Sequence, residues 1–271
     1  MTNRFYPVQL ILLFLTACST PSELIRQQAE SHGFQPQIIS SNLFIHAVYK
    51  KKTFCADNTV HVYIPGDGNP WRSRHRVALD PTPRYSLMLD LMALDNVAST
   101  QYLGRPCYLG QYKNNSCHAL HWTHWRYSED VVSSLQNVLH QQLSRFPECK
   151  ATLIGYSGGG TLAMLIAPQL PQVSTVITIA GNLNVNAWSK MHAYSPLQGS
   201  LDPAEQLPLP SRIKQWHLLG GMDDNVPASI SRQVIQDQPN AEILYFDKFT
   251  HQCCWKAIWP SVLKKINNAP E

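Results

Sequence analysis

Residues 151–161 read Ala-Thr-Leu-Ile-Gly-Tyr-Ser-Gly-Gly-Gly-Thr, an apolar run that delivers Ser157 into a cluster of glycines at the start of a helical pattern. Gly155 and Gly159 flank the serine as G-x-S-x-G, the spacing a sharp strand-to-helix turn needs because neighbouring Cβ atoms obstruct its backbone. A serine hydroxyl is a weak nucleophile until a base takes its proton. Further along, the chain offers a base and an acid to orient it. An apolar run ending Trp216-His217-Leu218-Leu219-Gly220 leads into Gly221-Met222-Asp223-Asp224-Asn225-Val226-Pro227, and a second run over 243–246 leads into Asp247-Lys248-Phe249-Thr250-His251-Gln252. His251 is the only histidine downstream of the acid loop, and an imidazole, with an ordinary pKa of about 6.5, accepts a serine proton close to neutrality. The helix after Ser157 points its N-terminal amides and its dipole at the same spot, which favours the negative charge of an oxyanion.

Such chemistry requires the three side chains to converge, which strands ending at one sheet edge can provide. Residues 152–156 read as a short apolar strand and 161–167 as a buried helix stopped by Pro168. Elsewhere 44–50, 59–64, 97–103 and 173–180 read as strands, and 85–94 and 128–145 as helices, the latter opened by Ser128 with Glu129 and Asp130 in its first turn. The alternation predicts an α/β fold: a mostly parallel central sheet with right-handed crossovers, flanked by helices, with the site at the strands' C-terminal edge.

Serine, then acid, then histidine, each just past a predicted strand, resembles the α/β-hydrolase superfamily, over roughly residues 37–268. The resemblance implies a serine hydrolase that cleaves a small-molecule acyl substrate, a carboxylic ester, through an acyl-enzyme. In it Ser157 is the nucleophile and His251 the base and then the acid. The acid loop is similar to the family's G-x-x-D-x-x-V-P, which places the orienting carboxylate on Asp223, framed by Gly220, Val226 and Pro227. Asp224 is the competing acid, expected instead to cap the helix that begins near Pro227. One oxyanion donor is the amide of Gly158, the residue after the nucleophile. The second comes from Val62-Tyr63-Ile64-Pro65-Gly66-Asp67-Gly68, which resembles the family's H-G-x-G loop with Pro65 at the histidine position, so that the donor is the amide of Asp67. A proline there lacks the side-chain contacts that usually steady this loop. The fold alone leaves ester against amide open. A peptidase, with Asp67 facing a substrate amine, is the rival within enzymes, and a non-catalytic binding module anchored in the envelope is the rival from another class.

The stretch of about 182–212, with Trp188, His192 and Tyr194, is longer than an ordinary connection and lies where the family inserts its lid. Trp71, and Trp122 or Trp125, are further candidate walls. Cys117, His118, His121 and His124 are dense enough to suggest zinc, but their spacing fixes no common face and a disulfide at Cys117 removes it as a ligand. This loop is therefore expected to line the mouth of the site. Neither a metal nor a cofactor is implied.

At the N-terminus, Arg4 precedes an apolar stretch, 8–15, of signal-peptide length. Its end, Leu15-Thr16-Ala17-Cys18, resembles the bacterial lipoprotein signal. That implies a signal peptide over 1–17, a lipidated Cys18, an anchor and linker over 18–36, and an α/β-hydrolase domain over 37–271. Ser19 implies the outer membrane, with the protein on the periplasmic side of the cell envelope. Export makes disulfides expected. Apart from Cys18, Cys55, Cys107, Cys117, Cys149, Cys253 and Cys254 remain. Cys107 and Cys117, across a loop with Gly and Asn, form the plausible local bridge, and Cys149 is left to pair with Cys55 or with one of Cys253 and Cys254.

About 250 residues after a signal peptide (271 less 17), 44% hydrophobic and 15% charged, suffice for one large core and leave no room for a second domain. A formal net charge of +4 with no basic run longer than Lys50-Lys51-Lys52 argues against a nucleic-acid partner.

Overall fold

The computed structural model describes residues 19–51 and 53–268; Cys18 and the expected signal peptide lie outside them. In chain order the main elements are α1 (Pro21–Ser31), β1 (Gln35–Ser40), β2 (Ile45–Lys50), β3 (Thr59–Ile64), β4 (Trp71–Ser73), β5 (Arg76–Val77), α2 (Leu87–Ala93), β6 (Thr100–Leu103), α3 (Glu129–Leu143), β7 (Lys150–Tyr156), α4 (Gly158–Ile166), β8 (Val173–Ile179), α5 (Val185–Met191), β9 (Lys214–Gly220), α6 (Ala228–Gln236), β10 (Ala241–Phe246) and α7 (Trp255–Asn267). Eight strands form one sheet in the order β1-β2-β6-β3-β7-β8-β9-β10, and β4 pairs with β5 in a separate hairpin. β1, β2 and β6 are joined antiparallel, and every pairing from β6 to β10 is parallel.

Alternate residues of each strand feed opposite layers, as the two-residue period of a pleated strand requires. Val60, Val62 and Ile64 of β3 join α3, α4 and α6 in one core, through Val131, Leu135, Leu162 and Val234. On the other face Tyr63, Tyr102, Ile154 and Ile177 pack with Ile25 of α1, Met88 and Leu91 of α2, and Trp255 and Trp259 of α7. Ser128 starts α3 as expected, its hydroxyl accepting from the Val131 amide.

The segment expected as anchor and linker, 18–36, is instead part of the folded body from residue 21 on. Ile25 and Ala29 are fully buried. Asp90 of α2 gathers Gln28 and His32 from the α1 end and Lys256 from α7, each at 2.7–2.9 Å, so three helices are tied at one carboxylate. Only two fully buried positions, four apart, mark α1 in an otherwise polar stretch, which is why it escapes a reading by hydrophobic period.

Two bridges join distant or looping parts of the chain: Cys107–Cys117, as expected, and Cys55–Cys149, which resolves the choice left for Cys149. The remaining pair, Cys253 and Cys254, is bonded to itself. Cys117 is thus held in a disulfide, while His121 packs against Phe44 and Trp125 and accepts from the His118 amide.

Candidate active site

Ser157 stands between β7 and α4 with φ 53° and ψ −122°, a backbone conformation that non-glycine residues rarely adopt. The surrounding glycines make it possible. A Cβ on Gly155 would overlap the Gly159 carbonyl, and a Cβ on Gly159 would overlap the Ile64 carbonyl at the end of β3. The Ser157 amide donates to Ile179 O at 2.9 Å, and its carbonyl accepts from Gly160 and Asn182, so β7, β8 and α4 all hold the turn.

The acid loop and the histidine loop reach this turn from β9 and β10. Gly220 and Gly221 pass so close to the backbone of Asp247 and Phe249 that neither has room for a Cβ, which brings the two loops side by side. His251 Nε2 lies 3.0 Å from Ser157 Oγ, and its Nδ1 lies 2.8 Å from Asp223 Oδ2. The other oxygen of Asp223 accepts from the amides of Asn225 and Val226 at 3.0 and 2.7 Å, and the residue is buried. Asp224 points to solvent and does not cap α6, whose cap position is Pro227 with no side-chain bond. His251 is further fixed through its carbonyl, which accepts from Tyr156 Oη and Trp255 Nε1 at 3.2 and 2.9 Å. In this arrangement the imidazole can take a proton from the hydroxyl while the carboxylate holds its tautomer and supports the cation that forms.

Gly66 packs under the serine, where an added Cβ would sit 3.3 Å from Ser157 Cβ. The next residue, Asp67, is anchored in a way the sequence does not announce. Its carboxylate pairs with Arg105 and with Arg126 (3.0 Å), and accepts from Tyr127 Oη at 2.7–2.9 Å; its carbonyl accepts from Tyr108 Oη at 2.8 Å. Burial opposes ionisation, but the two guanidiniums and the phenol outweigh it and hold the Asp67 pKa down at about 2. Arg105 and Arg126 also bond backbone carbonyls, of Arg126 at 2.6 Å and Thr123 at 2.7 Å. The support that Pro65 cannot give is thus supplied by the Asp67 side chain. Arg105, Tyr108, Arg126 and Tyr127 are 38–60 residues away in sequence, and no local pattern flags them.

A cleft of about 1120 Å³ opens over Ser157 and His251. Trp188, His192 and Tyr194, from the segment expected as a lid, line it, with Trp188 Nε1 and His192 Nε2 both at Asn225 O. Trp71 lines it as expected. Trp122 and Trp125 do not: Trp122 is buried with its indole N–H on Ala78 O, Trp125 stands against Gly199, and Thr123, His124 and Arg126 are the residues of that loop that reach the cleft.

No protein-family model matches the chain, and no curated protein matches it in sequence. Solved structures do match it in shape. An esterase of Pyrococcus furiosus superposes with a TM-score of 0.60 at 11% identity, covering 87% of this chain and 91% of its own. A membrane phospholipase A, described as a bacterial virulence factor, gives 0.58 at 12% identity over 92% of both chains. A protein of Agrobacterium tumefaciens described as an α/β hydrolase gives 0.57 at 12% identity, covering 88% of this chain and all of its own. The chain has the α/β-hydrolase fold. In this α/β-hydrolase fold the serine turn follows the central strand β7, the acid loop follows β9 and the histidine loop follows β10, so the three side chains converge at the C-terminal edge of the parallel strands.

Proposed function

We propose that the protein is a serine hydrolase that cleaves carboxylic esters through an acyl-enzyme. The observation that carries this reading is the continuous relay from Ser157 Oγ through His251 to a buried Asp223, at hydrogen-bond distance at both joints. On this reading His251 removes the Ser157 proton as Oγ attacks the acyl carbonyl, and returns it to the leaving oxygen when the tetrahedral intermediate collapses. A water, deprotonated by the same imidazole, then releases the acid. The amides of Gly158 and Asp67 are the proposed oxyanion donors. The peptidase alternative loses its main support, because an Asp67 carboxylate already spent on two arginines and a tyrosine is not available to a substrate amine. We place this activity in the envelope, on the lipoprotein-like signal ending at Cys18, and Cys18→Ala should then shift the protein out of the membrane fraction.

The test is hydrolysis of a p-nitrophenyl ester series from acetate to palmitate by wild type and Ser157→Ala, with fluorophosphonate labelling alongside. Turnover and labelling that both vanish with Ser157 support the reading. Labelling without ester turnover transfers it to amides. Absence of both leaves the binding-module reading.

A further inference from the structure

The loop that follows the Asp67 turn carries an uneven share of the charge. Between Trp71 and Arg84 stand four arginines, Arg72, Arg74, Arg76 and Arg84, and one acid, Asp80, so this short stretch holds +3 (4 − 1) of the chain's formal +4. All four arginines are exposed, and none of them enters an ion pair among the described residues. Asp80 is occupied by the Ser22 hydroxyl and the Thr82 amide. Arg74 and His75 form the tip of the β4–β5 hairpin, and both line the cleft that holds Ser157. The arginines fall at every second residue, Arg72, Arg74 and Arg76, so a search for uninterrupted basic runs passes over them.

The rest of the cleft does not balance this charge. Among the described residues its only acidic lining residue is Asp67, whose carboxylate is held by Arg105 and Arg126; the other basic groups facing it are Arg126, His124, His192 and His251, and the remaining titratable side chains are the phenols of Tyr85, Tyr156 and Tyr194. A cleft of one sign with apolar walls focuses its field and concentrates ligands of the opposite sign. A guanidinium without a partner also binds a carboxylate or phosphate through two parallel hydrogen bonds. We infer, resting on the hydrolase reading above, that the substrate is an ester bearing an anionic group, a carboxylate or a phosphate. That group is bound by Arg74 at the hairpin tip, and Arg72 and Arg76 draw it toward the cleft.

The experiment is steady-state hydrolysis by the whole protein of p-nitrophenyl butyrate, of mono-p-nitrophenyl glutarate, which carries a carboxylate on the acyl side, and of 3-carboxy-4-nitrophenyl butyrate, which carries it on the leaving group. Vesicles of dioleoylphosphatidylglycerol and of dioleoylphosphatidylcholine form a lipid arm. Because the esters differ in intrinsic reactivity, the readout is the wild-type to Arg74→Gln ratio of kcat/KM for each. For at least one anionic ester or the anionic vesicle this ratio is expected to exceed that for the neutral partner by about tenfold, the weight of one charge-assisted contact. The excess should reside mainly in KM and shrink at high salt. Arg145→Gln, at an exposed position just past α3, should leave all ratios near one. An excess with the soluble esters assigns a small anionic substrate, and an excess only between the vesicles assigns a lipid headgroup. Equal ratios for neutral and anionic substrates in every arm overturn the inference and leave the hydrolase standing. No turnover anywhere, with no fluorophosphonate labelling of Ser157, overturns both.

Discussion

The carboxylate of Asp67 occupies the space in which any residue other than glycine at Gly158 would place its Cβ. The residue after Ser157 is thus small for a reason that lies outside its own turn. Gly158→Ala must push against a side chain locked by two arginines, and overpacking of this kind costs about 1–3 kcal/mol. Thermal unfolding should register that loss, and kcat should fall with it, since the displaced loop carries a proposed oxyanion donor. Wild-type stability and turnover in Gly158→Ala would contradict this account.

The same carboxylate ties stability to acid. Asp67 has an ordinary value of 3.8 and is held at about 2 in the folded protein, so the unfolded chain binds its proton first as pH falls. Its contribution, about 2 kcal/mol, is complete above pH 4 and drains away between there and pH 2. The stability difference between wild type and Asp67→Asn, followed by urea unfolding from pH 6 downward, should shrink across that window; a difference constant with pH would rule the linkage out.

Removing one partner of this buried set should be worse than removing an ordinary surface charge. Arg105→Met removes a fully buried guanidinium and leaves the half-buried Asp67 with Arg126 and Tyr127 alone, at a cost of about 3 kcal/mol, the low end for a broken buried pair. Arg145→Met, at an exposed position just past α3, should cost within about 0.5 kcal/mol by the same measurement.

The two acids of the 223–224 pair should separate cleanly. Asp223→Asn keeps the shape but loses the charge at His251 Nδ1, and a fall in kcat of about 10⁴ is expected with little change in unfolding temperature. Asp224→Asn, exposed and without contact to His251, should keep wild-type kcat. Equal losses from both would remove Asp223 from its role.

Cys55–Cys149 closes a loop with a sequence separation of 94 and staples the start of β3 to the start of β7. Replacing the pair by serine should lower stability by about 2–4 kcal/mol, measured by guanidinium unfolding without reductant. No change would mean that the bridge is dispensable to the fold.

Strands β2, β3 and β6 to β10, the serine turn and the order of its partners were legible because each depends on residues next to one another, whereas β1 and the β4–β5 hairpin were not among the expected strands. The run 152–156 and the glycines around Ser157 carry the period and the punctuation of a strand-to-helix turn in eleven residues. Helix α1 was not legible, since its buried face is Ile25 and Ala29 alone and the rest of its anchoring is polar, through Gln28 and His32 to Asp90. Nor was the Asp67 anchor, whose arginines and tyrosines reach it across the fold from the loops around β6 and before α3. Asp67 itself was found, for its backbone, and what its side chain does depends on partners that only the tertiary structure supplies.

Around Ser157 the closest approaches are largely backbone on backbone: Gly155 on Gly159, and Gly159 on the end of β3. The hairpin at 71–77 and the segment at 182–212, by contrast, meet the cleft through side chains such as Arg74, Trp188 and Tyr194. The floor beneath Ser157 is therefore cast largely in one piece, while the ceiling is assembled from interchangeable parts. A protein built this way can be retooled for a different molecule by rewriting two surface segments, leaving its chemistry in place.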